Sequence, residues 1–234
     1  MALRIKETAF VILLAARAFA AGELRFQVRH EHLRKGCPGI LRVDEQGITF
    51  EGEPSKKRHA WRWEFSDIQQ LKIEPQRMAV LTYEDRKWRL GADRGFEFTL
   101  PAGVSFGSAY RLLKDRLDQR LVAALAEERD TVLWKLPVKR AGRIKGAQGT
   151  LVVSTTRVTF ETAEPGASRT WRYSDLDNIS SSGPFEFTVT TYERSRTDYG
   201  SLKSFHFQLK QPLTEDRYND LWWRLNQNRI RRIQ

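Results

Sequence analysis

The strongest constraint on what this 234-residue chain can fold into is that it is written twice. Gly39-Ile-Leu-Arg-Val43 recurs as Gly149-Thr-Leu-Val-Val153, and Ile48-Thr-Phe50 as Val158-Thr-Phe160, both displaced by 110 residues. Trp63-Glu-Phe-Ser-Asp-Ile68 returns as Trp171-Arg-Tyr-Ser-Asp-Leu176 at a displacement of 108. Thr82-Tyr-Glu84 returns as Thr191-Tyr-Glu193 and Phe96-Glu-Phe-Thr-Leu100 as Phe205-His-Phe-Gln-Leu209, both at 109. Tyr110 and Arg116-Leu117 match Tyr218 and Arg224-Leu225 at 108. Blocks that recur in one order at nearly one offset are the mark of a duplicated unit. The sequence therefore predicts two copies of one module, residues 21–128 and 129–234, each long enough to bury a core of its own.

Within each copy the apolar residues mostly alternate. Leu24, Phe26 and Val28 are separated by polar residues, as are Leu41 and Val43, Ile48 and Phe50, Trp61, Trp63 and Phe65, and Phe96, Phe98 and Leu100. That period of two predicts short half-buried strands, with Gly36, Gly39, Gly47, Glu53-Pro54-Ser55 and Gly95 as turns between them. Each copy then changes period. Ala109, Leu112, Leu113, Leu117, Leu121 and Leu125 keep helical spacing, and so do Tyr218, Leu221, Trp222 and Leu225, with Thr214 as N-cap and Glu215 and Asp216 in the first turn. Each module thus reads as six or seven strands followed by one helix.

The run Gly149-Thr-Leu-Val-Val-Ser-Thr-Thr-Arg-Val-Thr-Phe160, followed by an aromatic strand ending in Ser174-Asp175-Leu176, resembles pleckstrin-homology-like and GRAM-type domains, and Gly39 to Phe50 with Ser66-Asp67-Ile68 resembles them equally. The resemblance implies a mainly β fold: two tandem barrels of two packed antiparallel sheets, each capped by its C-terminal helix. It also implies a superfamily that binds lipids, peptides or proteins and is rarely catalytic.

Ahead of the first copy, Arg4 and Lys6 precede an apolar run from Ala9 to Ala16 and then Ala18-Phe19-Ala20. This is the order of a secretory signal peptide cut near Ala20/Ala21, and it predicts a secreted or periplasmic protein; an amphipathic N-terminal helix packed on the body is the alternative. The run is too short to cross a bilayer. Without residues 1–20 the chain keeps 37 basic and 28 acidic residues, a net charge of +9. Its single cysteine, Cys37, excludes an internal disulfide and a multi-cysteine zinc site, and reads as a small, quiet, buried residue.

A basic balance invites an anionic partner. Phosphoinositide-binding relatives of the resembled superfamily carry a basic residue on the first strand and a basic-x-Arg pair on the second. The first copy offers Arg34, Lys35 and Arg42. The second offers Lys135, Lys139, Arg140, Arg143 and Lys145 with no acidic residue between Thr131 and Phe160, but Leu151-Val152-Val153 supplies no basic pair. Residues 130–234 hold 17 basic and 11 acidic residues, a net of +6, so the second copy is the better anion candidate, with Arg229, Arg231 and Arg232 as a basic tail. These cations read either as a site for anionic lipid or another polyanion, with peripheral membrane contact, or as a solvated surface. Nucleic acid is not the expected partner, because the aromatic residues sit at core positions instead of forming a stacking platform.

His30 and His32 share a strand face, but two ligands are too few for a metal, and His59 and His206 would have to join them. The expectation is exposed strand histidines, no metal and no cofactor. Asp67 and Asp175 read as local turn formers that bond their own backbone. Trp63, Trp171 and Trp222 are expected in the cores, and Trp88 and Trp223 on a partner surface. No Gly-rich phosphate loop, nucleophile elbow, HExxH or paired-carboxylate pattern occurs. The sequence therefore points to a non-enzymatic interaction protein.

Overall fold

The computed structural model describes residues 22–32, 36–53, 59–86, 89–127, 130–142, 145–195 and 201–230. The expected signal segment, Arg34, Lys35, Trp88, Arg143, Arg231 and Arg232 lie outside the described residues, as does the side chain of Arg229. The fold is mainly β. The first half runs β1 (Leu24–His30), β2 (Cys37–Val43), β3 (Gly47–Gly52), β4 (Ala60–Glu64), a 3-10 turn (Phe65–Asp67), β5 (Ile68–Ile73), β6 (Arg77–Arg86), β7 (Arg89–Thr99), α1 (Gly107–Leu113) and β8 (Leu121–Ala123). The second half runs β9 (Val132–Arg140), β10 (Ala147–Ser154), β11 (Arg157–Glu161), β12 (Arg169–Arg172), a 3-10 turn (Tyr173–Asp175), β13 (Leu176–Gly183), β14 (Glu186–Arg194), β15 (Leu202–Leu209) and α2 (Glu215–Ile230).

All of the described strands join one hydrogen-bonded ladder of 15, in the order β13-β14-β15-β9-β10-β11-β12-β8-β5-β6-β7-β1-β2-β3-β4. Each half contributes its strands in the same internal order: fifth, sixth, seventh, first, second, third, fourth. The registers also coincide. His30 lies opposite Cys37 and Phe98 as Arg140 lies opposite Ala147 and Phe207. Phe50 lies opposite Trp61 as Phe160 lies opposite Arg169.

Two separate hydrophobic clusters fill the halves, built from matching residues: Leu41, Phe50, Trp63, Phe96 and Phe98 in one, Leu151, Phe160, Trp171, Phe205 and Phe207 in the other. Phe50 and Phe160 are fully buried, and each such side chain is worth about 1.5–3 kcal/mol of transfer free energy. Alternation along the strands sets this pattern, as in β15, where Phe205, Phe207 and Leu209 point in and their neighbours point out. Gly39 and Gly149 recur because a Cβ there would lie 2.4 Å from the Glu51 carbonyl oxygen and 2.1 Å from that of Glu161.

The helical spacing expected from Ala109 to Leu125 is realised only in its first part. α1 ends at Leu113, and Leu121–Ala123 becomes a strand parallel to β5, with Leu71 opposite Leu121 and Ile73 opposite Ala123. Apolar residues at 117, 121 and 125 do face the first core, but from a turn and a strand; a chance helical period cannot outweigh a free ladder edge. On its other side Ala123 pairs with Thr170 of β12, so β8 is the seam between the halves. Side chains reinforce it. Thr170 Oγ1 donates to the Leu125 carbonyl at 2.8 Å, and Arg172 donates to the carbonyls of Leu117 at 3.1 Å and Asp118 at 2.8 Å while pairing with Asp175. In α2, Leu221 and Leu225 face the second core one turn apart. Trp222, expected in that core, is rotated off it and 38% exposed.

Candidate functional site

The two halves present the same end to solvent, formed by the first hairpin and the chain entering the fourth strand, but they equip it differently. In the first half β1 delivers His30, the chain beyond it His32, the first residue of β2 is Cys37, and the residue before β4 is His59. Their donor atoms lie within 4.8 Å of one another. His30 Nδ1 is 3.1 Å from His32 Nε2, which is 3.1 Å from Cys37 Sγ; that sulfur is 3.8 Å from His30 Nδ1 and 3.7 Å from His59 Nδ1. The expectation of exposed strand histidines is corrected for His30, while His32 and His206 are exposed. His30 is 5% exposed, with its ring 5.0–5.5 Å from those of Phe50, Trp61 and Phe98. Cys37 and His59 are half-buried and His32 is exposed, so the cluster has a solvent-facing side. His206 does not join it; it is exposed on β15 and bonded to the Thr188 hydroxyl at 3.0 Å.

Burial, then the neighbouring imidazoles of His32 and His59, lowers the His30 pKa to about 4. Burial also lowers that of His32 and raises that of the Cys37 thiol. Three imidazoles and a thiol are thus gathered at one end of the first half. The Arg94 guanidinium, 4.8 Å above the Phe96 ring, and the Glu31 carboxylate beside His30 are the nearby charges.

Register shows what stands in the same places in the second half: Arg140 for His30, Gly142 for His32, Ala147 for Cys37 and Ala167 for His59. There the Arg140 guanidinium lies 5.3 Å from the Phe160 ring centroid and donates to the Ala167 carbonyl at 2.7 Å. One arginine fills the space that three imidazoles and a sulfur occupy in the first half.

Of the sequence-predicted anion residues, Lys135 and Lys139 are exposed on β9 and Lys145 is exposed beyond it, paired with Glu164 at 3.2 Å. Arg140 does not gather with them, being turned inward over Phe160. Arg42 pairs with Glu51 at 2.8 Å and lies 3.6 Å from Glu23. A groove of about 900 Å³ runs over the outer face of β1, β2 and β3, lined by Val28, Pro38, Ile40, Glu51 and Leu100. On α2, Trp223 is 58% exposed and meets Trp222 edge to face, ring centroids 5.5 Å apart. Asp67 and Asp175 behave as turn formers, accepting from the amides of Glu64 and Arg172 at 2.9 Å.

Sequence reasoning weighed His30, His32 and His59 but set Cys37 apart from them. The signal that could have joined them is the repeat itself: four chemically active residues in one copy stand where the other copy has Arg, Gly, Ala and Ala.

Among the described residues no helix is long and apolar enough to cross a membrane. No family model and no curated protein matches the chain. Among solved structures, "Crystal structure of the C-terminal domain of an unknown protein from Leishmania infantum" is similar at 16% identity over 41% of this chain and 84% of that one, with a TM-score of 0.32. "Structure of the Spt16D Pob3N heterodimer" is similar at 15% identity over 74% of this chain and 84% of that one, with a TM-score of 0.34. At these scores neither likeness bears on fold or function.

Proposed function

We propose that the chain is an exported, non-enzymatic binding protein made of two pleckstrin-homology-like modules, residues 21–128 and 129–234, held as one body. The observation that carries this reading is the contrast between scaffold and end. Strand order, registers and core residues are kept between the halves, while the residues at the hairpin ends are replaced by chemically unrelated ones. A scaffold held constant under diverging end surfaces is how binding modules specialise. Export rests on the order of the N-terminal segment, and N-terminal sequencing of the protein from its host tests it.

A protein partner is the first reading. Trp222 and Trp223 form an exposed aromatic pair on a helix whose inner face is already anchored by Leu221 and Leu225. Exposed tryptophans of this kind are frequent anchors of interfaces. Contact with anionic lipid or an envelope polyanion is the second reading, favoured by Lys135 and Lys139 on one exposed face of β9. Cross-linking in the host with a Trp222→Ala/Trp223→Ala variant tests the first: a cross-linked species that disappears with the tryptophans supports it. Sedimentation with anionic vesicles at two salt concentrations tests the second. Binding that weakens with salt and is lost on Lys135→Glu/Lys139→Glu/Lys145→Glu supports it, and binding indifferent to both counts against it.

A further inference from the structure

The geometry points to a site for a divalent transition-metal ion of the zinc class, held by His30, His32, Cys37 and His59. In a tetrahedral zinc site, Zn–N bonds of about 2.0–2.1 Å and a Zn–S bond of about 2.3 Å put ligand nitrogens roughly 3.3 Å apart and nitrogen and sulfur roughly 3.6 Å apart. Four of the six edges, 3.1 Å between His30 and His32, 3.1 Å from His32 to the sulfur, and 3.8 and 3.7 Å from the sulfur to His30 and His59, are near that size, and the two from His59 to the other imidazoles lie within 4.8 Å. An ion at the centre satisfies all four atoms together. Direct hydrogen bonds, through the N–H tautomers of the rings or the thiol proton, link these atoms only in pairs.

The donor set selects the metal. Three imidazoles and one thiolate suit zinc and its neighbours and are a poor match for calcium or magnesium, which take oxygen ligands. On binding, the sulfur–metal bond forms as the thiol proton leaves to water. The rest of the site also fits. His30 is held by a wall of Phe50, Trp61 and Phe98, and His32 faces solvent, which gives an ion a way in.

The second half supplies the internal control. The same registers there carry Arg140, Gly142, Ala147 and Ala167, so the fold does not require histidines and a cysteine at this end. A requirement of packing would act on both copies; a ligand acts on one. The site is independent of the partner readings above, since neither Trp222 and Trp223 nor Lys135 and Lys139 contribute to it.

The test uses the full chain without an affinity tag, freed of metal by chelation and then supplied with Zn²⁺ or Co²⁺ and desalted. The expected result is one equivalent of zinc per chain by elemental analysis and a rise in unfolding temperature on adding zinc. Cobalt should give the intense visible bands of a tetrahedral centre with a near-ultraviolet thiolate charge-transfer band. Cys37→Ser should abolish that band, and His30→Arg/His32→Gly/Cys37→Ala/His59→Ala, which gives the first half the residues of the second, should abolish retention of both ions. Circular dichroism of each variant separates lost ligands from lost fold. Failure of the wild-type chain to retain either ion, an octahedral cobalt spectrum, or undiminished binding in the folded four-residue variant would overturn the proposal.

Discussion

Glu127 and Arg157 form an ion pair across the seam between the two halves, Oε2 to Nη1 at 2.9 Å, with only 12% and 9% of their side chains exposed. Glu127 is also the acceptor for the Tyr110 hydroxyl at 2.8 Å and the partner of Lys114 at 2.7 Å. One carboxylate thus ties α1 of the first half to β11 of the second.

Removing that carboxylate leaves the buried Arg157 with only a longer contact to the Asp130 carboxylate, at 4.0 Å. Glu127→Ala is expected to cost about 3–5 kcal/mol, the usual penalty for breaking a buried pair from one side. Denaturant titration of the full chain reads it as a lower midpoint. The double variant Glu127→Leu/Arg157→Met should recover more than half of the loss, because the buried guanidinium is removed together with its closest carboxylate. A Glu127→Ala midpoint unchanged from wild type would show that the pair carries no stability.

Arg172 holds the turn after α1 through the Leu117 and Asp118 carbonyls and is itself fixed by Asp175 at 2.7 Å. Arg172→Ala should loosen β8 without unfolding either core. Hydrogen exchange at the amides of Leu121 and Ala124, which bond the Asp118 and Ile73 carbonyls, should then speed by roughly tenfold or more, the equivalent of one lost net hydrogen bond or two. Limited proteolysis should leave the wild-type junction intact and cut that of the variant.

Gly39 and Gly149 each lie against a fully buried phenylalanine and the carbonyl across the hairpin, with Phe50 Cε2 at 2.7 Å and Phe160 Cε2 at 2.8 Å from where a Cβ would stand. Gly39→Ala and Gly149→Ala should each cost about 1–3 kcal/mol by overpacking. Similar losses at both positions would establish that the halves are equivalent in energy as well as in register. A cost at one alone would refute that.

Asp130 supplies the pH dependence. Desolvation pushes its carboxyl up, but hydrogen bonds from Thr156, Thr155 and the amides of Thr131 and Thr156 outweigh it and hold the folded pKa below 3.8. A depressed carboxylate contributes stability that is present above its unfolded pKa and is lost as pH falls through its folded one. The difference in stability between wild type and Asp130→Asn should therefore be full at neutral pH and shrink only below about pH 4. Thermal melts across that range read it directly.

Much of this was legible in the sequence because the strands obey a local rule. Phe205, Phe207 and Leu209 alternate and are buried in alternation, and Trp63 and Trp171 face the two cores as their places in the repeat predict. The end of α1 was not legible, since Leu117, Leu121 and Leu125 satisfy a helical period while β5 offers an open edge that only the folded sheet reveals. Nor was the metal-binding geometry. Cys37 meets His30 through a strand register, and His59, 22 residues after Cys37, is placed just before β4 by the pairing of β3 with β4. Spacing along the chain carries none of that; only the comparison of copies does.

The three-residue strand β8 has no counterpart in the second half among the described residues, where α2 follows the last strand directly. The joint between the halves is therefore made with a strand for which the second half shows no match among its described residues. A head-to-tail contact made from surfaces both copies possess would be free to add a third unit, or to recruit the same half of a neighbouring molecule and grow a fibre. With β13 and β4 at the two ends of the ladder, this joint instead sets β8 against β12, unlike surfaces of the two halves.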